Sequence, residues 1–190
     1  MSELSAPGIF VDKDGTLVEN VPYNVDPDLL KFKPGALRAL AALAARGFAI
    51  VVVTNQSGVA RGYFTRTQLT RLRDALARRL AEEAGVRLKG FHFCPHEPDA
   101  HGRPTCSCRK PRPGMLLEAS RMHGIDLERS WMIGDTLDDV EAGRRAGCRT
   151  IFYDSGGETR WRMAPLRYPW SLTTDWWDAA RLILAQAMHR

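Results

Sequence analysis

Gly8-Ile9-Phe10-Val11-Asp12-Lys13-Asp14-Gly15-Thr16 is the stretch whose reading decides the fold. A short apolar run that ends in Asp-x-Asp-Gly-Thr predicts a buried strand delivering two carboxylates onto the loop at its carboxyl end. Open α/β sheets hold their ligands at that end. Residues i and i+2 of an extended chain face the same side, so Asp12 and Asp14 can aim at one small space. Two acids so placed repel each other, and become tolerable if a divalent cation takes one or if only one of them is ionised. Lys13 between them reads as a spacer pointing away. Taken alone, the stretch is also compatible with an Asx-type turn closed by Gly15, so the rest of the chain has to decide.

Strand and helix signals alternate from there on. Leu17 to Lys33, with Pro22 and Pro27, reads as a loop near the acidic pair. Pro34-Gly35 opens a helix over Ala36 to Arg46, where Leu37, Leu40 and Leu43 recur at helical spacing and Gly47 supplies the stop. Phe48 to Thr54 is β-branched and almost continuously apolar, as a strand covered on both faces should be. Thr65 is a candidate N-cap for a helix running to Gly85, with Leu69, Leu72, Leu76 and Leu80 as its buried stripe. Leu88 to Phe93 predicts a third strand. Cys94 to Arg112 is an irregular, proline-rich loop, and Pro113 begins a helix through His123. Trp131 to Gly134 is a fourth strand, Leu137 to Ala146 a helix, Arg149 to Tyr153 a fifth strand, Gly156 to Ser171 a loop, and Asp175 to His189 a final helix. Helical crossovers between strands imply a Rossmann-like parallel sheet with helices on both faces. No insertion is long enough for a large helical cap domain. With 190 residues, a single domain over 1–190 is expected.

Composition adds bounds. Hydrophobic content of 44% and charged content of 26% are ordinary for a soluble globular protein. The longest apolar runs fall far short of the roughly 20 residues that span a bilayer, so no membrane partner is expected. Residues Met1 to Pro7 lack the basic start and apolar middle of a secretory signal, which makes the cytoplasm the default compartment. The net charge of +5 suits an anionic small substrate or a basic surface. A nucleic-acid-binding or polynucleotide phosphatase module would fit that sign, but no basic stripe with interleaved aromatics supports it. Three of the four cysteines, Cys94, Cys106 and Cys108, crowd together with His96, which in a cytoplasmic chain argues for metal before disulfide. Three thiolates and one imidazole make a closed tetrahedral Zn²⁺ set of the structural kind. His101 is an alternative to His96, and free buried thiols are the alternative to a metal site. Zinc there would clamp a loop that ends at Arg109-Lys110. Cys148 reads as a small core residue.

The strand ends then line up: Asp12 and Asp14 after the first, Thr54 after the second, and Asp135, Asp138 and Asp139 after the fourth, with Lys110 just ahead of a helix. Asp12-Lys-Asp14-Gly-Thr16, Thr54, Lys110 and Gly134-Asp135-Thr-Leu-Asp138-Asp139, in that order, resemble the four motifs of the haloacid dehalogenase-like phosphatases. The resemblance implies Mg²⁺-dependent phosphoryl transfer. Asp12 would be the nucleophile that forms an aspartyl phosphate, and Asp14 the acid and then the base. Mg²⁺ would rest on Asp12, the backbone carbonyl of Asp14, and Asp135, with Asp138 and Asp139 orienting its surroundings. Thr54 and Lys110 would hold the transferring oxygens. Each residue also has a plainer reading: Thr54 as a β-former, Lys110 as a solvated loop lysine, and the acids of 138–139 as helix-opening residues favoured by the dipole.

Asn55-Gln-Ser-Gly-Val-Ala-Arg-Gly62, Cys94-Pro-His96 and Cys106-x-Cys108-Arg-Lys-Pro-x-Pro-Gly-Met115 narrow the likeness. This combination is similar to the heptose 1,7-bisphosphate 7-phosphatase family, over about Gly8 to Asp154. That family implies a small phosphorylated sugar that loses its 7-phosphate on the way to nucleotide-activated heptose for surface polysaccharide. Position by position, it also implies Arg109 for substrate recognition, Asn55, Gln56 and Ser57 for binding, and Asn20 to Tyr23 against the sugar. Arg61 is a weaker candidate for the second phosphate. A monomer is expected. Thr136 departs from relatives that can carry Lys there. Histidinol-phosphate phosphatase is the nearest rival, and a zinc-organised interaction domain without chemistry is the non-enzymatic one.

Overall fold

The chain builds β1 (Ala6–Val11), α1 (Ala36–Ala45), β2 (Ala49–Asn55), α2 (Arg66–Ala84), β3 (Leu88–Cys94), α3 (Gly114–His123), β4 (Ile125–Gly134), α4 (Leu137–Ala146), β5 (Arg149–Tyr153), β6 (Ser171–Thr173) and α5 (Trp176–Met188). Single 3₁₀ turns lie at Pro27–Leu29 and Pro165–Arg167. This computed structural model describes residues 5–188; residues 1–4 of the amino-terminal stretch and the expected helix end at His189 lie outside the described residues.

The strands form one parallel sheet in the order β3-β2-β1-β4-β5-β6. Alternation along β1 sorts the core into two layers. Ile9 and Val11 pack with Leu40, Leu43, Leu72, Leu76 and Trp176 from α1, α2 and α5. Phe10 packs on the other face with Met115, Leu116 and Ala142 from α3 and α4. Both faces are therefore covered by helices, which is why the strands read as continuous apolar runs. No helix among the described residues is long and apolar enough to cross a membrane.

Topology places the site. From β1 the chain winds outward through β2 and β3, then returns to β4 on the other side of β1, so the strand order reverses beside β1. Such a switch point opens a crevice at the carboxyl ends of the strands. Val11 is paired with Val52 on one side and Ile133 on the other, so the residues that follow each strand emerge at one level. Local signals fix the helices that frame it. Thr65 and Gln68 close a capping box at the start of α2, and Thr136 and Asp139 close another at the start of α4.

Two differences from the sequence expectation have physical causes. β4 begins at Ile125, well before Trp131, because Ser130 Oγ accepts from the Gly8 amide at 2.7 Å where the β1–β4 register shifts. Of the intervening residues, Asp126, Glu128 and Arg129 are polar and exposed or half-buried, and Leu127 alone is too little to carry an apolar signal. β6, absent from the expectation, is a three-residue edge strand held on β5 through Ile151–Ser171 and Tyr153–Thr173 pairing; it is too short to show a period.

Trp176 ties the last helix to the first loop: its side chain is fully buried, and Nε1 donates to the Thr16 carbonyl at 2.9 Å. Trp176→Ala is expected to cost about 3–5 kcal/mol in urea denaturation. Trp176→Phe, which keeps most of the volume and loses the donor, should cost less.

Candidate active site

Asp12 follows β1 directly, and its amide donates to Ile133 O at 3.0 Å, which continues the ladder one residue past the strand. Asp135 follows β4 in the same way. Gly15 turns the chain back between them at φ +87°, and a Cβ there would lie 2.1 Å from Asp135 Oδ2. Only glycine lets the first loop lie against that carboxylate. Thr16 Oγ1 donates to Asp135 Oδ1 at 3.1 Å, and Ser155 Oγ donates to Oδ2 at 2.9 Å. Asp139 enters from the first turn of α4. Thr136 Oγ1 and N donate to its Oδ2 at 2.6 and 3.1 Å, which fixes the direction of Oδ1.

Ligand oxygens of Asp12, Asp135 and Asp139 all lie within 4.8 Å of one another, and all three residues are buried. Lys110 is the counter-charge. Its Nζ lies 2.6 Å from Asp12 Oδ1, 2.6 Å from Asp139 Oδ1 and 2.9 Å from Val53 O. Asn55 holds the main chain of Lys110 on both sides, its Oδ1 accepting from Lys110 N at 3.1 Å and its Nδ2 donating to Lys110 O at 3.3 Å. Burial pushes the Asp12 carboxyl well above its ordinary pKa; Lys110 opposes that push, and Asp139, Asp135 and Asp14 add to it. Asp135 is raised by burial and then by Asp139, against its two hydroxyl donors. Burial works against the Lys110 charge, and the attraction of Asp12 and Asp139 overcomes it, so its pKa is raised. Three buried carboxylates against one ammonium leave an excess of negative charge in a set of hard oxygen donors. Asp139 Oδ1 faces that ammonium as an ion pair but makes no hydrogen bond. These features fit a hard divalent cation.

Asp14 stands apart from that trio. Its Oδ1 lies 2.5 Å from Lys13 Nζ, and its Oδ2 accepts from Gln56 Nε2 at 2.9 Å. Lys13 is therefore not the outward-pointing spacer expected from the sequence; it is 1% exposed and pairs with Asp14. Asp138 also diverges from its neighbour Asp139, and pairs with Arg167 at 2.8 Å.

The second cluster joins Cys94, His96, Cys106 and Cys108. Sulfur–sulfur distances are 3.1–3.4 Å, and His96 Nδ1 lies 3.6 Å from Cys94 Sγ and 3.4 Å from Cys108 Sγ. The cysteines are free thiols at ligand-to-ligand spacing, not disulfides. Burial pushes the Cys94 thiol up. Cys106 comes down to about 7, because hydrogen bonds from Cys108 and the Arg109 amide outweigh its burial. His101 lies outside the cluster and lines the cleft, so His96 is the imidazole of the set.

A cleft of about 1280 Å³ opens above the carboxylates. Asp12, Asp14, Thr54, Asn55, Lys110 and Asp135 line it, as do Asn20 and Arg109, and Arg103, Arg112, Arg160 and Arg162 give it a cationic rim. Tyr23, Gln56, Ser57 and Arg61 are not among its lining. Tyr23 stacks edge-on against Tyr63 at 4.6 Å, and Arg61 lies over Tyr23 and 3.4 Å from Glu97. Sequence reasoning missed Thr16, although it stands in the opening motif. Ser155 was findable as the residue two beyond the fifth strand. Arg160 and Arg162 gave no signal within a loop.

A family description for HAD-hydrolase-like proteins matches residues 107–170. The D-glycero-beta-D-manno-heptose-1,7-bisphosphate 7-phosphatase of Yersinia pestis is 44% identical over 149 residues, which cover 77% of this chain and 79% of the relative. The Escherichia coli K12 protein of the same name is 43% identical over 77% of this chain and 78% of its own length. The chain belongs to this phosphatase family. Family membership makes it a phosphoric monoester hydrolase of the haloacid dehalogenase-like group. The crystal structure of D,D-heptose 1,7-bisphosphate phosphatase from B. bronchiseptica, complexed with magnesium and phosphate, superposes with a TM-score of 0.82 at 32% identity. That match covers 95% of this chain and 99% of the other.

Because its folded-state pKa is raised, Asp135 contributes stability that is fully present below its unfolded pKa and is lost as pH rises through the folded value. Asp135→Asn is therefore expected to raise the urea midpoint of the metal-free protein at pH 8. The gain should fade as the pH is lowered and the wild-type carboxyl takes up its proton.

Proposed function

We propose that the chain removes the 7-phosphate of D-glycero-β-D-manno-heptose 1,7-bisphosphate in nucleotide-activated heptose synthesis, with Asp12 as nucleophile. One observation carries this reading: Asp12, at the floor of a cleft with a cationic rim, is flanked by Lys110 and two further carboxylates in the arrangement phosphoryl transfer demands. The named relatives supply the sugar and its anomer.

An Asp12 oxygen attacks the phosphorus at carbon 7, and the bond from phosphorus to the sugar oxygen breaks. The leaving oxygen takes its electron pair and the proton of the Asp14 carboxyl. Asp14, now a carboxylate, takes a proton from water, whose oxygen attacks the phosphorus of the aspartyl phosphate. The bond to Asp12 breaks, phosphate departs, and Asp12 returns as a carboxylate. Lys110 and Thr54 hold the equatorial oxygens, and Lys110 favours the ionised form of Asp12 against its burial. Asp12, Asp135 and the backbone carbonyl of Asp14 would hold Mg²⁺, with Asp139 beside them; bound there, the ion supplies neutralisation of the phosphoryl charge. The sugar lies against Asn20. Arg109, anchored by its donation to His96 O at 3.1 Å, takes the phosphate at carbon 1 together with the rim arginines. Cys94, His96, Cys106 and Cys108 would hold Zn²⁺ as a structural clamp on the loop that delivers Arg109 and Lys110. Since one chain supplies every one of these groups, we read it as a single domain acting as a monomer in the cytoplasm.

Phosphate release with Mg²⁺ is measured on both anomers of heptose 1,7-bisphosphate, fructose 1,6-bisphosphate and histidinol phosphate. The β-anomer should be turned over fastest, and Asp12→Asn should lower kcat by about 10⁴-fold or more with the fold intact. Faster turnover of histidinol phosphate would overturn the substrate, and unchanged activity in Asp12→Asn the mechanism. Elemental analysis should find one zinc per chain, and Cys106→Ser should lower both the zinc content and the thermal midpoint.

A further inference from the structure

Lys13 is among the largest wholly buried side chains of the fold, at 1% exposure, although it lies between the two acids of the opening motif. A buried ammonium without a counterion is strongly unfavourable. Its Nζ is 2.5 Å from Asp14 Oδ1, so the requirement for a counterion holds the two side chains together. The other oxygen of Asp14 accepts from Gln56 Nε2 at 2.9 Å, and the same nitrogen donates to Thr54 Oγ1 at 2.9 Å. Both hydrogens of that amide are thereby used, and Gln56 is itself only 5% exposed and outside the cleft lining.

We infer that Lys13 and Gln56 are positioning residues for the leaving group: together they lock the Asp14 carboxyl in one orientation at the cleft and couple it to Thr54. The inference rests on the proposed role of Asp14 as the acid. Asp14 keeps an open flank, with 28% of its side chain exposed, so the locked carboxyl still reaches the cleft. A side chain held from two sides loses little rotational freedom when the ester oxygen arrives, which is the entropic advantage a positioned acid has over solvent. The geometry argues against Gln56 as a direct substrate contact, since its nitrogen is committed to Asp14 and Thr54.

The test is leaving-group dependence. kcat/KM reports the steps through phosphoryl transfer to Asp12 and is blind to the later hydrolysis. It is measured for an alkyl ester, heptose 1,7-bisphosphate or glycerol phosphate, and for p-nitrophenyl phosphate, whose nitrophenolate departs without a proton. Lys13→Met and Gln56→Leu are each expected to lower kcat/KM for the alkyl ester by about 100-fold and for the aryl ester by less than about 5-fold, with KM for the alkyl ester little changed. Losses of equal size on both esters, or no loss on either, in variants with the wild-type circular dichroism would overturn the inference. Should Lys13→Met fail to fold, Gln56→Leu alone decides, because it removes no charge. Asp14→Asn separates the two levels. If it slows both esters equally, the assignment of the acid fails; if it shows the split while Lys13→Met and Gln56→Leu do not, the positioning roles alone fail.

Discussion

One ammonium group, Nζ of Lys110, makes the floor of the cleft possible. Burying a carboxylate is costly unless it is paired, and here three are brought within contact distance at the ends of β1 and β4 and the start of α4. Lys110 arrives from far along the chain, donates to Asp12 and to Val53 O, and pairs by charge with Asp139. It can do so only if its backbone is held, and a long irregular loop offers little ordering of its own. Asn55 grips that backbone from the end of β2, and the Cys94–Cys108 cluster closes the loop immediately upstream. The thiol cluster and the proposed nucleophile thus belong to one mechanical chain: thiols, loop, Lys110, Asp12.

The order of elements was legible because the sheet is parallel and covered on both faces. That condition makes strands such as Ala49–Asn55 continuous apolar runs, and the cap at Thr65 marks a helix start by residue type alone. Asp12, Thr54 and Asp135 could be chosen because each stands at a predicted strand end, and Lys110 because it precedes a predicted helix, in an order that resembles the family's motifs. Legibility failed where a contact, not a pattern, decides. Ile125 to Ser130 joins β4 through one hydroxyl and a register shift, and β6 exists only as an edge paired to β5. Lys13 could not be read as buried, because nothing local announces that an ammonium has found a carboxylate one residue away. Asn55 and Gln56 were expected to bind substrate; their partners in the fold, the Lys110 main chain and Asp14, depend on distant segments being brought together and leave no local signal.

The segment after β5 shows how a sheet without a large cap builds a wall. Its residues are largely exposed, and it is fastened at intervals: Ser155 to Asp135, Glu158 to the amide of Leu137, Trp161 against Phe152, and Arg167 to both Asp138 and Glu141. Each fastening reaches α4 or a strand next to it, so the wall is registered to the same helix that carries Asp139. Arg167 also keeps Asp138 away from the trio of Asp12, Asp135 and Asp139, which explains why two adjacent acids on one helix turn end in different environments.

A charge division follows from this layout. The floor is acidic and buried, and the rim, built by the zinc-type loop on one side and the wall after β5 on the other, is basic and exposed. Exposed arginines are screened and individually weak, so the rim can gather and orient an anion without holding it tightly. Buried groups at the floor act at low dielectric, where small displacements are expensive. A substrate with a phosphate at each end satisfies both zones at once, one phosphate oriented in solvent and the other delivered to Asp12, whereas a compact monoester can engage only the floor. On the proposed mechanism, selectivity for a bisphosphate then needs no deep pocket shaped to the sugar, only the distance between a weak cationic rim and the strongly constrained Asp12, and that distance is set by the loop that Lys110 terminates.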